Sequence, residues 1–151
     1  MRRYNTWKYA ESLLYNFTKY LTYYELISLE YQELRNKGDV NAQSYQEHLS
    51  THTRDPVAEY HEKLTRMLHK INLLLNKIRP VEILIQDLTN PYALDKNFYQ
   101  GLLDVLCYIY FGHNKVQETA CILEIDESTI YRRKRRLVKM LIPYAKKHTE
   151  K

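Results

Sequence analysis

Arg132-Arg133-Lys134-Arg135-Arg136 is the densest charge in the chain, five bases in a row set inside an apolar-periodic segment and not in a Gly/Ser-rich tail. A basic run on a helix can grip a polyanion, but alone it is as compatible with a solvated helix face short of acidic partners. The residues before it separate the two readings. A helix-turn-helix needs a small residue where two short helices cross, apolar residues on the facing sides and a cap opening the second helix. Ala120 supplies the small residue, Leu123 and Ile125 bracket the turn, Asp126 caps the second helix, and Ile130, Leu137 and Leu141 face inward from it. In such a motif the second helix lies in the DNA major groove. Its outer face carries Ser128, Thr129, Tyr131, Arg132 and Arg135 as expected base contacts. Arg suits the paired acceptors of guanine, and Tyr131 can pack on a thymine methyl or reach a phosphate. Lys115, Gln117, Arg133, Lys134, Arg136 and Lys139 flank that face and suit phosphate, which gives affinity without sequence information.

No other cluster supports chemistry. His48 and His52 are spaced i,i+4 as zinc ligands would be, but no glutamate follows His48 and the segment reads as linker, so no metal is expected. His61 and His69 belong on a solvated helix face. Asp87, Asp95 and Asp104 have nothing to bring them into one pocket, and no Gly-rich phosphate loop exists; neither an enzyme nor a cofactor is expected. Fifteen tyrosines invite thoughts of base stacking, yet aromatics at heptad spacing serve packing.

The elements that must position the basic helix are helical as well. The chain of 151 residues is about one domain long, is 44% hydrophobic, and has only three Gly and four Pro, too few turns for a many-stranded fold. An all-α protein is expected. Residues 1–112 carry no net charge and residues 113–151 carry the whole +5. From Thr6 to Arg35, apolar or aromatic side chains at Trp7, Ala10, Leu14, Phe17, Leu21, Tyr24 and Tyr31 mark one long coiled-coil-like helix. Gly38 should end it, and the polar stretch to Asp55 reads as linker. After Asp55-Pro56 a second stripe runs through Val57, Tyr60, Leu64, Met67, Ile71, Leu74 and Ile78 until Pro80 stops or kinks the helix, and Val81 to Thr89 reads as a short helix of its own. The expected division is a helix over 1–36, a linker over 37–55, central packing helices over 56–90 and a DNA-binding domain over 91–151. Leu14, Phe17, Leu21 and Tyr24, with Leu64, Met67, Ile71 and Leu74, offer more apolar face than one antiparallel pair hides, so they are expected to build a homo-oligomer. Cys107 and Cys121 fall at apolar helix positions and read as reduced core residues. No stretch is apolar and long enough for a membrane span or a signal core, which points to a cytoplasmic protein without a membrane partner.

The run Leu102-Leu103-Asp104-Val105-Leu106-Cys107-Tyr108-Ile109-Tyr110-Phe111-Gly112, followed by Ala120 and Asp126-Glu127-Ser128-Thr129-Ile130-Tyr131-Arg132, resembles the region-four domain of sigma factors as it occurs in the RinA/ArpU-type late transcription regulators of phages in Gram-positive bacteria. The similarity extends upstream to a polar linker, Thr53-Arg54-Asp55-Pro56-Val57-Ala58-Glu59 and a long helix, and is specific over the last fifty residues. The resemblance implies an activator of late genes in a phage or a phage-related island, acting on promoter or operator DNA, with host RNA polymerase as a further candidate partner. Two positions depart from the motif. Glu124 stands where glycine is usual in the turn, so the turn must avoid a positive φ or hold one at some cost. Arg133 stands where an apolar residue is common. A small terminase subunit is the nearest alternative, although such subunits usually place the DNA-binding domain before the oligomerising helices. A helical interaction protein whose basic helix docks on an acidic partner is the other.

Overall fold

The computed structural model describes residues 2–47, 56–93 and 95–149, and the protein is all-α. In chain order the helices are α1 (Arg2–Tyr15), α2 (Phe17–Glu47), α3 (Pro56–Leu88), α4 (Lys96–Val105), a π-helical segment (Leu106–Phe111), α5 (Val116–Leu123) and α6 (Glu127–Thr149). No strand occurs among the described residues.

Three helix boundaries differ from those read in the sequence. The first long helix is interrupted at Asn16, whose side-chain amide donates to the Ser12 carbonyl at 2.9 Å while the Ser12 hydroxyl donates to the Tyr9 carbonyl at 2.7 Å. Such side-chain bonds compete with the backbone ladder and bend helices. Gly38 does not end α2, which runs on to Glu47 and so takes up much of the expected 37–55 linker; the remainder of that linker, with His48 and His52, lies outside the described residues. The missing Cβ at Gly38 makes room for α3: a methyl there would sit 1.9 Å from the Tyr60 hydroxyl oxygen, and that hydroxyl donates to the Leu34 carbonyl at 3.2 Å. Pro80 does not stop α3 either. It is buried beside Ile78, Val81, Leu84 and Leu88, so the packing of that last stretch offsets the roughly 3 kcal/mol that an internal proline costs. Pro56, as expected, is the first residue of α3.

The chain divides into two compact units, 1–20 with 76–151 and 21–75. In the first, α6 packs against α1, α4 and α5, and the π-helical segment against α1, α4 and α5. Ala10, Leu13, Leu14 and Phe17 enter this core together with Leu102, Val105, Leu106, Ile109, Tyr110, Ile130, Leu137 and Leu141. Leu14 and Phe17, expected at an oligomer interface, are 0% and 5% exposed inside it. The Phe17 ring stacks on Phe111 at 5.1 Å, and Tyr15 meets Tyr110 edge-on at 4.6 Å. The N-terminal helix is thus part of the same compact unit as α4 to α6, not a module apart. Asp95 opens α4 by accepting the Phe98 N–H at 3.0 Å, and the wide π turn closes where the Gly112 N–H reaches the Cys107 carbonyl at 2.8 Å.

The second unit is an antiparallel pair formed by Leu21 onward in α2 and α3 up to Leu75. Met67 is buried, while Leu21, Tyr24, Leu64, Ile71 and Leu74 are half-buried. Leu26, Leu29, Leu68 and Leu73 are exposed.

Candidate nucleic-acid interface

α5 and α6 are joined by Glu124, Ile125 and Asp126. The turn takes the strained option: Glu124 is left-handed at φ 54°, ψ 43°. The Ile125 N–H donates to the Ala120 carbonyl at 3.1 Å and the Glu124 N–H to the Cys121 carbonyl at 3.4 Å, the paired bonds of a Schellman ending that normally asks for glycine. The Asp126 carbonyl accepts from Thr129 at 3.0 Å and Ile130 at 3.3 Å, starting α6. Ile130 and Leu137 are fully buried; Ala120, Leu123 and Ile125 are half-buried around the turn. Thr119 is buried with its hydroxyl satisfied by the Lys115 carbonyl at 3.0 Å.

The residues expected to read bases share the outer side of α6. Ser128, Tyr131, Arg132 and Arg135 are exposed and Thr129 is half-buried. The Thr129 hydroxyl accepts from the Arg132 guanidinium at 3.1 Å, which holds that side chain along the helix. Of the residues expected at phosphate, Lys115, Gln117, Arg136 and Lys139 are exposed. Two others are not free for that role. The Lys134 ammonium donates to the Tyr15 hydroxyl at 3.1 Å and lies 5.7, 5.6 and 5.8 Å from the ring centres of Tyr15, Tyr110 and Tyr131. It fastens α6 to α1 through a hydrogen bond and cation–π attraction. Arg133 is half-buried against α4, where its guanidinium covers Gly101. That accounts for a charged residue at a position usually apolar: the arginine lies flat on a glycine and supplies packing with its planar head. Sequence periodicity missed both roles, because Lys134 and Arg133 are adjacent to true outward residues and their partners lie far away in the chain.

Beneath α6, the Tyr110 hydroxyl is fully buried and donates to Glu11 at 3.4 Å. Burial, then the neighbouring Glu11 carboxylate, pushes that hydroxyl's pKa well above the usual tyrosine value. Cys107 and Cys121 are exposed, not core residues; each stands on the outer side of its helix, a face that apolar spacing alone did not distinguish. His61 and His69 are exposed on α3. No group of three or more His, Cys, Asp or Glu suited to a metal occurs among the described residues, and no helix among them is long and apolar enough to cross a membrane. Comparison of the chain with protein-family models, with curated proteins and with solved structures finds no match.

Proposed function

We propose that the chain is a sequence-specific double-stranded DNA-binding regulator of transcription whose α5, turn and α6 act as a helix-turn-helix. The observation that carries this reading is the exposed row of Ser128, Arg132, Arg135 and Lys139 along the first four turns of α6, directly after a three-residue turn and a short supporting helix. Arg132 and Arg135 read base edges; Lys115, Arg136 and Lys139 hold phosphate. The resemblance to late phage regulators makes an activator of phage or phage-island late genes the specific form of the proposal, working in the cytoplasm with RNA polymerase as a further partner. Self-association through the 21–75 hairpin supplies the second half-site that a single recognition helix needs for specificity across many competing sites. Leu26, Leu29, Leu68 and Leu73, exposed there, support that role better than Leu14 and Phe17, which the core already uses.

Sequencing the DNA recovered with the full chain tests the reading. On the recovered site Arg132→Ala is expected to cost about 1–3 kcal/mol and to relax preference at one base position, leaving random DNA unaffected. Equal losses on both sequences would remove Arg132 from the base contacts, and recovery of no enriched sequence would overturn specific recognition.

A further inference from the structure

We infer that Trp7, on the N-terminal helix, touches the sugar-phosphate backbone beside the recognition helix, and so belongs to the DNA interface. The inference rests on the reading of α6 as the reading helix, and it starts from a groove of about 830 Å³ between α1 and α6. Trp7 and Glu11 form its α1 wall, and Ser128, Tyr131, Arg132 and Arg135, four of the five expected base-reading residues, form part of the other. An α-helix with side chains is about 10–12 Å across and the major groove about 12 Å wide, so whatever stands beside a seated helix meets the phosphate strand at the groove's edge. α1 stands there. It is fixed in place by the buried Ala10, Leu13 and Leu14 and by the Tyr15 bond to Lys134, so Trp7, one turn before Ala10, is held and not trailing. The Trp7 side chain is half-buried, with the remainder facing the groove. Its chemistry suits a nucleic-acid backbone: the ring covers deoxyribose and the indole N–H donates to a phosphate oxygen. The cationic groups of Arg132 and Arg135 against the single carboxylate of Glu11, itself engaged by the Tyr110 hydroxyl, leave the groove set for an anion.

Trp7 is the chain's single tryptophan, which gives the test its probe. The full chain is titrated with fluorescently labelled duplexes, one carrying the recovered site and one of random sequence, while label anisotropy reports binding and acrylamide quenching reports the exposure of Trp7. The expected result is that Trp7 becomes protected in step with the anisotropy, and that Trp7→Phe, which keeps the packing and loses the donor, weakens binding to both duplexes about fivefold, as the loss of one hydrogen bond should. Circular dichroism of the variant checks that its helices are intact. Unchanged affinity of a folded Trp7→Phe, or Trp7 quenching that ignores bound duplex, overturns the inference while leaving DNA binding in place. Anisotropy flat for both duplexes at low salt overturns the underlying reading of α6, and this inference with it.

Discussion

One amphipathic pattern runs from Trp7 to Tyr31, yet its two halves meet different fates. The half in the 1–20 and 76–151 unit closes a dry core, with Ala10, Leu13 and Leu14 at most 1% exposed. The half in the 21–75 unit faces one other helix and leaves Leu26 and Leu29 at 54% and 57%. A helix gains its stability from the second surface that covers it, not from the stripe itself. α1 finds two such surfaces, in α6 and the π turn. A pair of helices can each hide only one side, which leaves leucines of the hairpin exposed to solvent.

The sharpest break of this contrast comes from placing an acid on each half. Leu14→Asp, a charge in the closed core, is expected to cost about 4 kcal/mol or more and to unfold the 1–20 and 76–151 unit, seen as loss of cooperative thermal unfolding. Leu29→Asp should change the stability of the isolated chain by no more than about 0.5 kcal/mol but lower the mass found by sedimentation at micromolar concentration. Unfolding by Leu29→Asp to the same degree would erase the distinction between the halves; a wild-type monomer would leave the hairpin free of any self-association. Next in size is a pair of lysines on α6. Lys134→Ala should lower thermal stability by about 1–2 kcal/mol, through the lost cation–π and hydrogen-bond contacts, and leave the salt dependence of DNA binding alone. Lys139→Ala should do the reverse, shifting the slope of log affinity against log salt by about 1 with melting unchanged.

A smaller effect is expected in alkali. The Tyr110 hydroxyl ionises in the unfolded chain near pH 10 but is held neutral in the fold by burial and by Glu11. Its contribution is therefore complete below about pH 10 and is lost as pH rises above it, where the unfolded chain gains the ionisation. Tyr110→Phe should flatten that alkaline decline in urea titrations; an unchanged slope would show the hydroxyl to be hydrated. Smallest, Glu124→Gly should stabilise the unit by about 1 kcal/mol, because the left-handed turn costs glycine nothing. A loss of stability on that change would mean the Glu124 side chain itself holds the turn.

The helical class, the start of α3 at Pro56 and the spacing of α5, turn and α6 were legible because each depends on neighbours in the chain. At Glu124 the sequence left two options open, a turn without a positive φ or a left-handed residue held at some cost, and the structure takes the second. The closing of α1 over α6 was not. Tyr15 and Lys134 are 119 positions apart, and periodicity shows that a face is covered without showing by what. The same limit explains Gly38 and Pro80, residues that break an isolated helix but that Tyr60 in one case and a buried cluster in the other hold inside one. It explains too why Lys134 and Lys139, alike as charges in a basic segment, separate into a fastener and a free cation.

Gly101 and Arg133 form a coupled position for evolution or design. A methyl at Gly101 would lie 2.8 Å from the Arg133 guanidinium carbon, and the flexible head is the part that yields. Replacing glycine by alanine inside a helix adds about 1 kcal/mol of helix preference, so Gly101→Ala need not destabilise α4. What it changes is the inventory of cations at the surface: an arginine that now packs on α4 would swing outward into solvent. A larger side chain at the first position should then be matched by a shorter one at the second.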